Sequence, residues 1–204
     1  MKLSSLLGSL HHSALLLAFA AAPALAQEAS PSSEGPRFGQ WQTRALAGEG
    51  KEVVRAATWS ASNKTMISYD FYVDDCRGVS FSMYWVRAAP ADHDLYLQHV
   101  ATTLQVDDHP VVPFLSTYQL TKGEIAAVLT LAEIDDFTAA VNQMEQGRAL
   151  QVRVPWDVDT GANDILEDYP LAGFADALAW SRKTCWDIAD QRMAGKTRGA
   201  QPLP

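Results

Sequence analysis

Three histidines in the middle of the chain are the side chains best suited to hold a metal ion. Asp92-His93-Asp94 with His99, or Asp107-Asp108-His109, would supply carboxylate oxygens and imidazole nitrogens, which are ligands that zinc accepts. His93 and His99 can share a strand face only if no bulge lies between them. Residues of this kind are more often turn residues in water, so we expect no metal. The three histidines are kept as candidates for a metal-dependent enzyme.

Nucleophilic catalysis needs an activated serine or cysteine beside a base. The chain has no Gly-x-Ser-x-Gly motif. Ser/His/Asp combinations can be drawn from His93, His99 and His109, but any chain with three histidines permits this. The segment Asp157-x-Asp159-x-Gly161-x-Asn163 resembles a calcium loop, but its glycine comes one position early and no glutamate closes the loop. The sequence therefore predicts no catalytic residues and no cofactor.

The six tryptophans could provide flat apolar faces for stacking against a sugar. Trp85 falls on the apolar face of a predicted strand and is expected in the core. Trp156 lies in an acidic loop, and Trp180 lies off the apolar stripe of the last predicted helix. We therefore take Trp156 and Trp180 as the candidates for a binding surface, with packing in the core or at its rim as the alternative.

Cys76 and Cys185 are the only two cysteines. In an exported protein, two cysteines predict a disulfide, with two buried free thiols as the alternative. Export itself is indicated by residues 1–26, where Met1-Lys2 precedes a short apolar run and the small-x-small site Ala24-Leu25-Ala26. The sequence thus predicts a signal peptide over 1–26 and a periplasmic or secreted protein.

Charge and hydropathy limit the partners that such a protein would have. The apolar run at the N-terminus is shorter than the roughly 20 residues that a membrane helix requires, so we expect no membrane insertion. Loss of Lys2 with the signal peptide changes the formal charge from −8 to −8 − 1 = −9. An acidic surface argues against nucleic acid as a partner.

The patterns downstream predict mainly strands. Residues 27–37 are polar and rich in Pro and Ser, which predicts a disordered lead-in; 38–194 would form a single β-rich domain, and 195–204 a flexible tail. Two alternating runs, 65–73 and 79–85, predict a hairpin with its loop at 74–78. The apolar phase changes within 94–106, which predicts a bulge or bend near His99. Val111 to Tyr118 is expected to be an edge segment limited by Pro110 and Pro113.

Two helices complete the prediction. Thr130-Leu-Ala-Glu133 has the form of a capping box, so a helix is expected from about Ile134 to Gly147. A second apolar stripe consists of Leu171, Phe174, Ala175, Leu178, Arg182 and Cys185. The predicted fold is mainly β with two helices (α+β), as a β-sandwich or a partly closed antiparallel barrel with the C-terminal helix packed on it.

Three segments resemble the exported bacterial family named after invasion-associated locus B. They are Phe38-Gly-Gln-Trp41, the helix–glycine–strand unit from Phe137 to Val154, and Pro170-Leu-Ala-Gly-Phe-Ala-Asp-Ala-Leu178. The resemblance implies a secreted or periplasmic β-sandwich without established catalytic residues. The chain departs from the family in having Thr43-Arg44-Ala45 after Trp41, where members commonly carry a cysteine, and in its low cysteine number.

These observations together favour an exported, disulfide-bonded, non-enzymatic binding or interaction protein of the bacterial cell envelope. Its partner would be an envelope or extracellular protein or a glycan, contacted through exposed aromatic side chains and strand edges. One alternative is an inhibitor or immunity protein, since an acidic surface could cover a basic envelope-acting enzyme. The other is a metal-dependent enzyme with its site near His93, His99 and His109.

Overall fold

A computed structural model describes residues 33–48, 51–86, 89–133, 137–155 and 164–199. The predicted signal peptide and Trp156 lie outside these residues. Within them the chain forms ten strands and two helices: β1 (Ser33–Phe38), β2 (Trp41–Gly48), β3 (Lys51–Trp59), β4 (Thr65–Tyr72), β5 (Asp75–Val86), β6 (Leu95–Val106), β7 (Val112–Leu120), β8 (Ala126–Glu133), α1 (Phe137–Gln146), β9 (Ala149–Val154), β10 (Ile165–Pro170) and α2 (Phe174–Gly199). None of the helices in these ranges has both the length and the apolar character needed to cross a bilayer.

The strands form one antiparallel sheet in the order β1-β2-β3-β4-β5-β8-β7-β6-β9-β10. The sheet is not closed by strand pairing, but its two ends approach each other. The Ala61 N–H, in the turn after β3, donates to the Asp168 carbonyl in β10 at 2.7 Å. The Thr65 hydroxyl lies 2.6 Å from the Tyr169 hydroxyl, and burial raises the pKa of Tyr169. The mainly β fold with two helices is confirmed, and its strands form one sheet that is not closed.

The hairpin of β4 and β5 forms as the alternating pattern predicts, with Ile67, Phe71 and Met83 buried on the inner face. Its turn is shorter than the predicted loop over 74–78, because Tyr72 already pairs with Asp75. Phe71 pairs with Val79, so residues 76–78 form a bulge in β5 rather than part of a loop. The bulge leaves Cys76 buried at the end of the hairpin.

A second irregularity occurs in β6, where the register against β7 shifts between Leu97 and Val100. This confirms the bulge predicted near His99. Leu97 packs at the margin of the core, whereas Val100 and Leu104 beyond the bulge are fully buried. The extra residue reverses the side-chain alternation, so apolar residues on both sides of it can face the same core.

Two predictions about β7 and β8 were wrong. Thr130 and Glu133 do not form a capping box, because both lie in β8 and pair with Thr117 and Leu115 of β7. The strand β7 is not at an edge, since it lies between β8 and β6. Pro113 is tolerated there because β7 pairs with β8 only from Leu115 onward, so the missing N–H removes no bond on that side.

Secondary structure extends beyond both predicted ends of the domain. The strand β1 falls mostly within the expected lead-in over 27–37 and pairs with β2 through Ser33, Glu34 and Arg37. At the other end, α2 continues to Gly199, beyond the start of the flexible tail predicted at 195. Pairing with β2 satisfies the backbone of β1, which compensates for its polar composition.

Tyr69 connects the sheet to both helices. Its ring is stacked at 5.8 Å on Phe137 of α1 and lies edge-on at 6.2 Å to Phe174 of α2. On α2, Phe174, Leu178 and Cys185 are buried as the apolar stripe predicts, whereas Ala175 is exposed. The C-terminal helix is therefore packed on the inner face of the sheet, as predicted.

Candidate functional site

The disulfide predicted from the two cysteines is present. Cys76 and Cys185 are bonded, with their Cα atoms 5.9 Å apart and both residues buried. The bond joins the end of the β4–β5 hairpin to the middle of α2. It therefore holds the helix against the sheet and serves the fold.

The first and last motifs of the sequence meet in space. The Trp41 ring lies 4.8 Å from Phe174, and its Nε1–H donates to the Pro170 carbonyl at 2.9 Å. The turn at Gly39 contacts the loop that leads into α2, so closely that a Cβ on Gly173 would lie 2.2 Å from the Phe38 oxygen. These contacts bring together the two ends of the sheet, so both motifs stabilise the fold.

The candidate metal ligands do not form one cluster. His93 precedes β6 and His109 follows it, and both are exposed. A strand of this length spans about 36 Å, so one ion cannot bind both histidines. The His93 imidazole instead bonds to the neighbouring Asp92, and His99 belongs to the bulge of β6. No group of three or more His, Cys, Asp or Glu residues within the described ranges could hold a metal.

Asp107 has a structural role in the turn after β6. Its carboxylate accepts the backbone N–H groups of Arg148 and Ala149, each at 3.0 Å. Its own φ is 45°, which an Asp side chain tolerates better than most. The bond from Arg148 leads the causes that lower the pKa of this carboxyl. Asp107 thus joins the β6–β7 turn to the start of β9.

Of the two tryptophans predicted to bind a partner, only Trp180 can be described. It is half-buried and packs on β1, where a Cβ on Gly35 would lie 2.4 Å from its ring. This contact supports an edge strand that is otherwise polar. A binding role for Trp180, and one for Trp156, stay predictions.

A cavity lies on the outer face of β6, β7 and β9, and we call it the β6 groove. Its volume is 590 Å³. Ala101 and Thr103 of β6 form a floor of small side chains, between a wall from β7 and a wall from β9. The walls and the ends are formed by Gln105, Val111, Pro113, Leu115, Gln151, Arg153 and Pro155.

The two walls of the β6 groove differ in character. Val111, directly before β7, is 51% exposed and Leu115 of β7 is 36% exposed, so this wall presents apolar surface to solvent. On β9, Arg153 donates from Nε to Asp164 at 2.8 Å, and this bond leads the causes that lower the Asp164 pKa. Gln151 donates to Asp168 at 3.0 Å. One side therefore offers apolar surface, and the other offers amide and guanidinium groups held in place by carboxylates.

Sequence reasoning missed the β6 groove. Its floor belongs to the strand whose bulge was predicted, but the alternation in β6 does not indicate which strands lie beside it. The apolar residues of its wall were assigned to an edge segment. Only the pairing of β6 with both β7 and β9 brings these side chains together.

No protein-family model and no curated protein sequence matches the chain. Among solved structures, the chain is similar to invasion associated protein B from Bartonella henselae, with 16% sequence identity and a TM-score of 0.45. The match covers 78% of this chain and 97% of that one. That solved structure carries the name of the family that the three sequence motifs resemble.

Proposed function

We propose that this protein is exported and acts as a non-enzymatic binding protein of the bacterial cell envelope, with the β6 groove holding an extended segment of an envelope or extracellular protein. The observation that carries the proposal is the groove itself, which combines an exposed apolar wall with fixed polar groups. Pockets that bind ligands typically have this composition. Among the described residues that line the groove there is no His, Cys, Asp or Glu, which supports binding over acid–base chemistry at this place.

The dimensions of the groove favour a protein segment. From Ala101 to Gln105, four residue steps of β6 cover about 13 Å, the length of a similar stretch of extended peptide. Alternate side chains of that peptide would pack on Val111 and Leu115. The amides of Gln105 and Gln151 could bond to its backbone.

Export is supported by two independent features. Residues 1–26 have the composition of a signal peptide, and the disulfide is of the kind that persists outside the cytosol. Cell fractionation and mass spectrometry test this part. We expect a mature chain beginning at Gln27 with no alkylatable thiol in the periplasm or medium. A full-length, reduced chain confined to the cytoplasm would contradict it.

Photo-crosslinking in intact cells tests the binding site. A benzoylphenylalanine at Thr103, on the floor of the groove, should give one discrete protein adduct, whereas the same group at Ala175, on the exposed side of α2, should not. The substitution Ala101→Trp fills the groove and should reduce that adduct at least tenfold. Ala175→Trp is the matched control and should leave it unchanged. Identical adducts from both crosslinker positions, or none from Thr103, would refute the proposed site.

A further inference from the structure

We infer that a second pocket, on the outer face of β2, β3 and β4, binds a carboxylated sugar. This pocket, which we call the Trp59 pocket, has a volume of 220 Å³. It lies on different strands from the β6 groove and shares none of its lining residues. The side chains that carry the inference are Gln42, Arg44, Arg55, Trp59 and Met66.

An exposed aromatic ring forms one end of the Trp59 pocket. Trp59 is 44% exposed at the end of β3, and it pairs across the strands with Met66 of β4. Beside it, the small side chain of Ala57 leaves room for a ligand at the floor of the pocket. The arrangement gives a ligand an apolar face to stack on, as the flat face of a sugar ring requires.

Two arginines face each other at the other end of the Trp59 pocket. Arg44 of β2 and Arg55 of β3 are directly paired residues. Like charges placed directly opposite on neighbouring strands are destabilising. Arg55 has a partner, since its Nε and Nη2 donate to the Asp70 carboxylate at 2.8 and 2.7 Å, and Nη2 also donates to the Tyr84 hydroxyl at 3.0 Å. Burial lowers the pKa of Arg55, but the bonds and charge of Asp70, together with Tyr84 and Tyr72, raise it overall.

Arg44 has no comparable partner. Within the described ranges, its guanidinium makes no hydrogen bond or ion pair, and the Nη1 of Arg55 makes none either. The neighbour of Arg44 on its other side is Glu34 of β1, which pairs with it by register without an ion pair. An anionic ligand would therefore meet the free guanidinium of Arg44 and the free NH2 group at Nη1 of Arg55. It would also relieve the repulsion between the two arginines.

The chemistry of both ends specifies the ligand. A carboxylate can accept two parallel bonds from the planar guanidinium of Arg44, while a sugar ring attached to it stacks on Trp59. The Gln42 amide, between them, can bond to ring hydroxyls. Pockets for drug-sized ligands begin at about 300 Å³, so this smaller pocket suits one sugar unit with the rest of its chain outside. Inorganic phosphate would satisfy the arginines but offers nothing to Trp59.

Calorimetric titration of the mature, disulfide-bonded protein tests the inference. Trigalacturonate should bind at least tenfold more tightly than a neutral galactose trisaccharide, and at least tenfold more tightly than inorganic phosphate, which reaches the arginines but not Trp59. Arg44→Gln should remove the preference for the acidic sugar, and Trp59→Ala should abolish binding of both. Trp186→Ala alters a tryptophan of similar exposure on α2 and should have no effect.

Several results would overturn the inference. They are equal affinity for the neutral and acidic sugars, an unchanged affinity in Arg44→Gln, an equal loss in Trp186→Ala, or no heat from any ligand. The variant Ala101→Trp, which fills the β6 groove, should bind the sugar normally. A failure at the Trp59 pocket is thereby separated from a failure of the proposed function.

Discussion

The contact between the first and last motifs predicts that one added methyl group, in Gly173→Ala, greatly lowers the free energy of unfolding. Gly173 has φ of +91°, and a Cβ there would lie 2.2 Å from the Phe38 oxygen and 2.5 Å from its carbonyl carbon. Gly123 has a similar φ of +85°, but nothing lies within 4 Å of the position of its Cβ. The two glycines therefore form a matched pair, in which the backbone strain is the same and only one site is crowded.

The expected loss of stability can be worked out from the contacts that each substitution weakens. An alanine in a left-handed conformation costs about 1–2 kcal/mol, and this is the whole cost expected for Gly123→Ala. In Gly173→Ala the β1–β2 turn must also move away from α2. This movement weakens the bond from Trp41 to Pro170, worth about 1 kcal/mol, and the Trp41–Phe174 pair, worth about 1 kcal/mol. We expect about 3–4 kcal/mol in total for Gly173→Ala.

Urea unfolding followed by tryptophan fluorescence and circular dichroism measures both variants. Gly173→Ala should lose about 2 kcal/mol more free energy of unfolding than Gly123→Ala, with an unchanged dependence on urea. Gly39→Ala touches the same contact from the other side, where a Cβ would lie 2.4 Å from the Ala172 oxygen. Combining it with Gly173→Ala should therefore cost less than the sum of the single changes. A difference below about 0.5 kcal/mol between the matched pair would refute the reasoning.

Three further predictions concern stability. Replacing Cys76 and Cys185 by alanine opens a connection of 109 residues, which should cost about 5 kcal/mol and lower Tm by about 10–20 °C; a loss within 1 kcal/mol of zero, measured by calorimetry, contradicts this. Ser181→Ala removes a buried hydroxyl with no partner within the described ranges, and urea unfolding should show a gain of about 1 kcal/mol. The folded pKa of Asp107 is lowered, so its stabilising effect is present above the unfolded pKa and is lost as the pH falls through the folded value. Asp107→Asn keeps the turn but should reduce the loss of stability on acidification below about pH 4, and parallel slopes in the two proteins would argue against it.

Much of the local structure could be read from the sequence because it depends on short-range patterns. Alternation in β4 and β5 predicts their hairpin, and the change of phase around His99 predicts the bulge in β6. The apolar stripe from Phe174 to Cys185 predicts α2. With only two cysteines, the disulfide partner follows from counting.

The order of strands and the two candidate sites depended on the tertiary structure. The sequence around Thr130 is compatible with a capping box, but pairing with β7 places it in a strand. Arg44 and Arg55 are unremarkable by themselves, and only the register of β2 on β3 sets them opposite each other. The β6 groove likewise requires β9 beside β6, although 42 residues lie between Val106 at the end of β6 and Ala149 at the start of β9. Alternation and helical periodicity specify which face of an element is apolar, but the choice of neighbour is made by packing between residues distant in sequence.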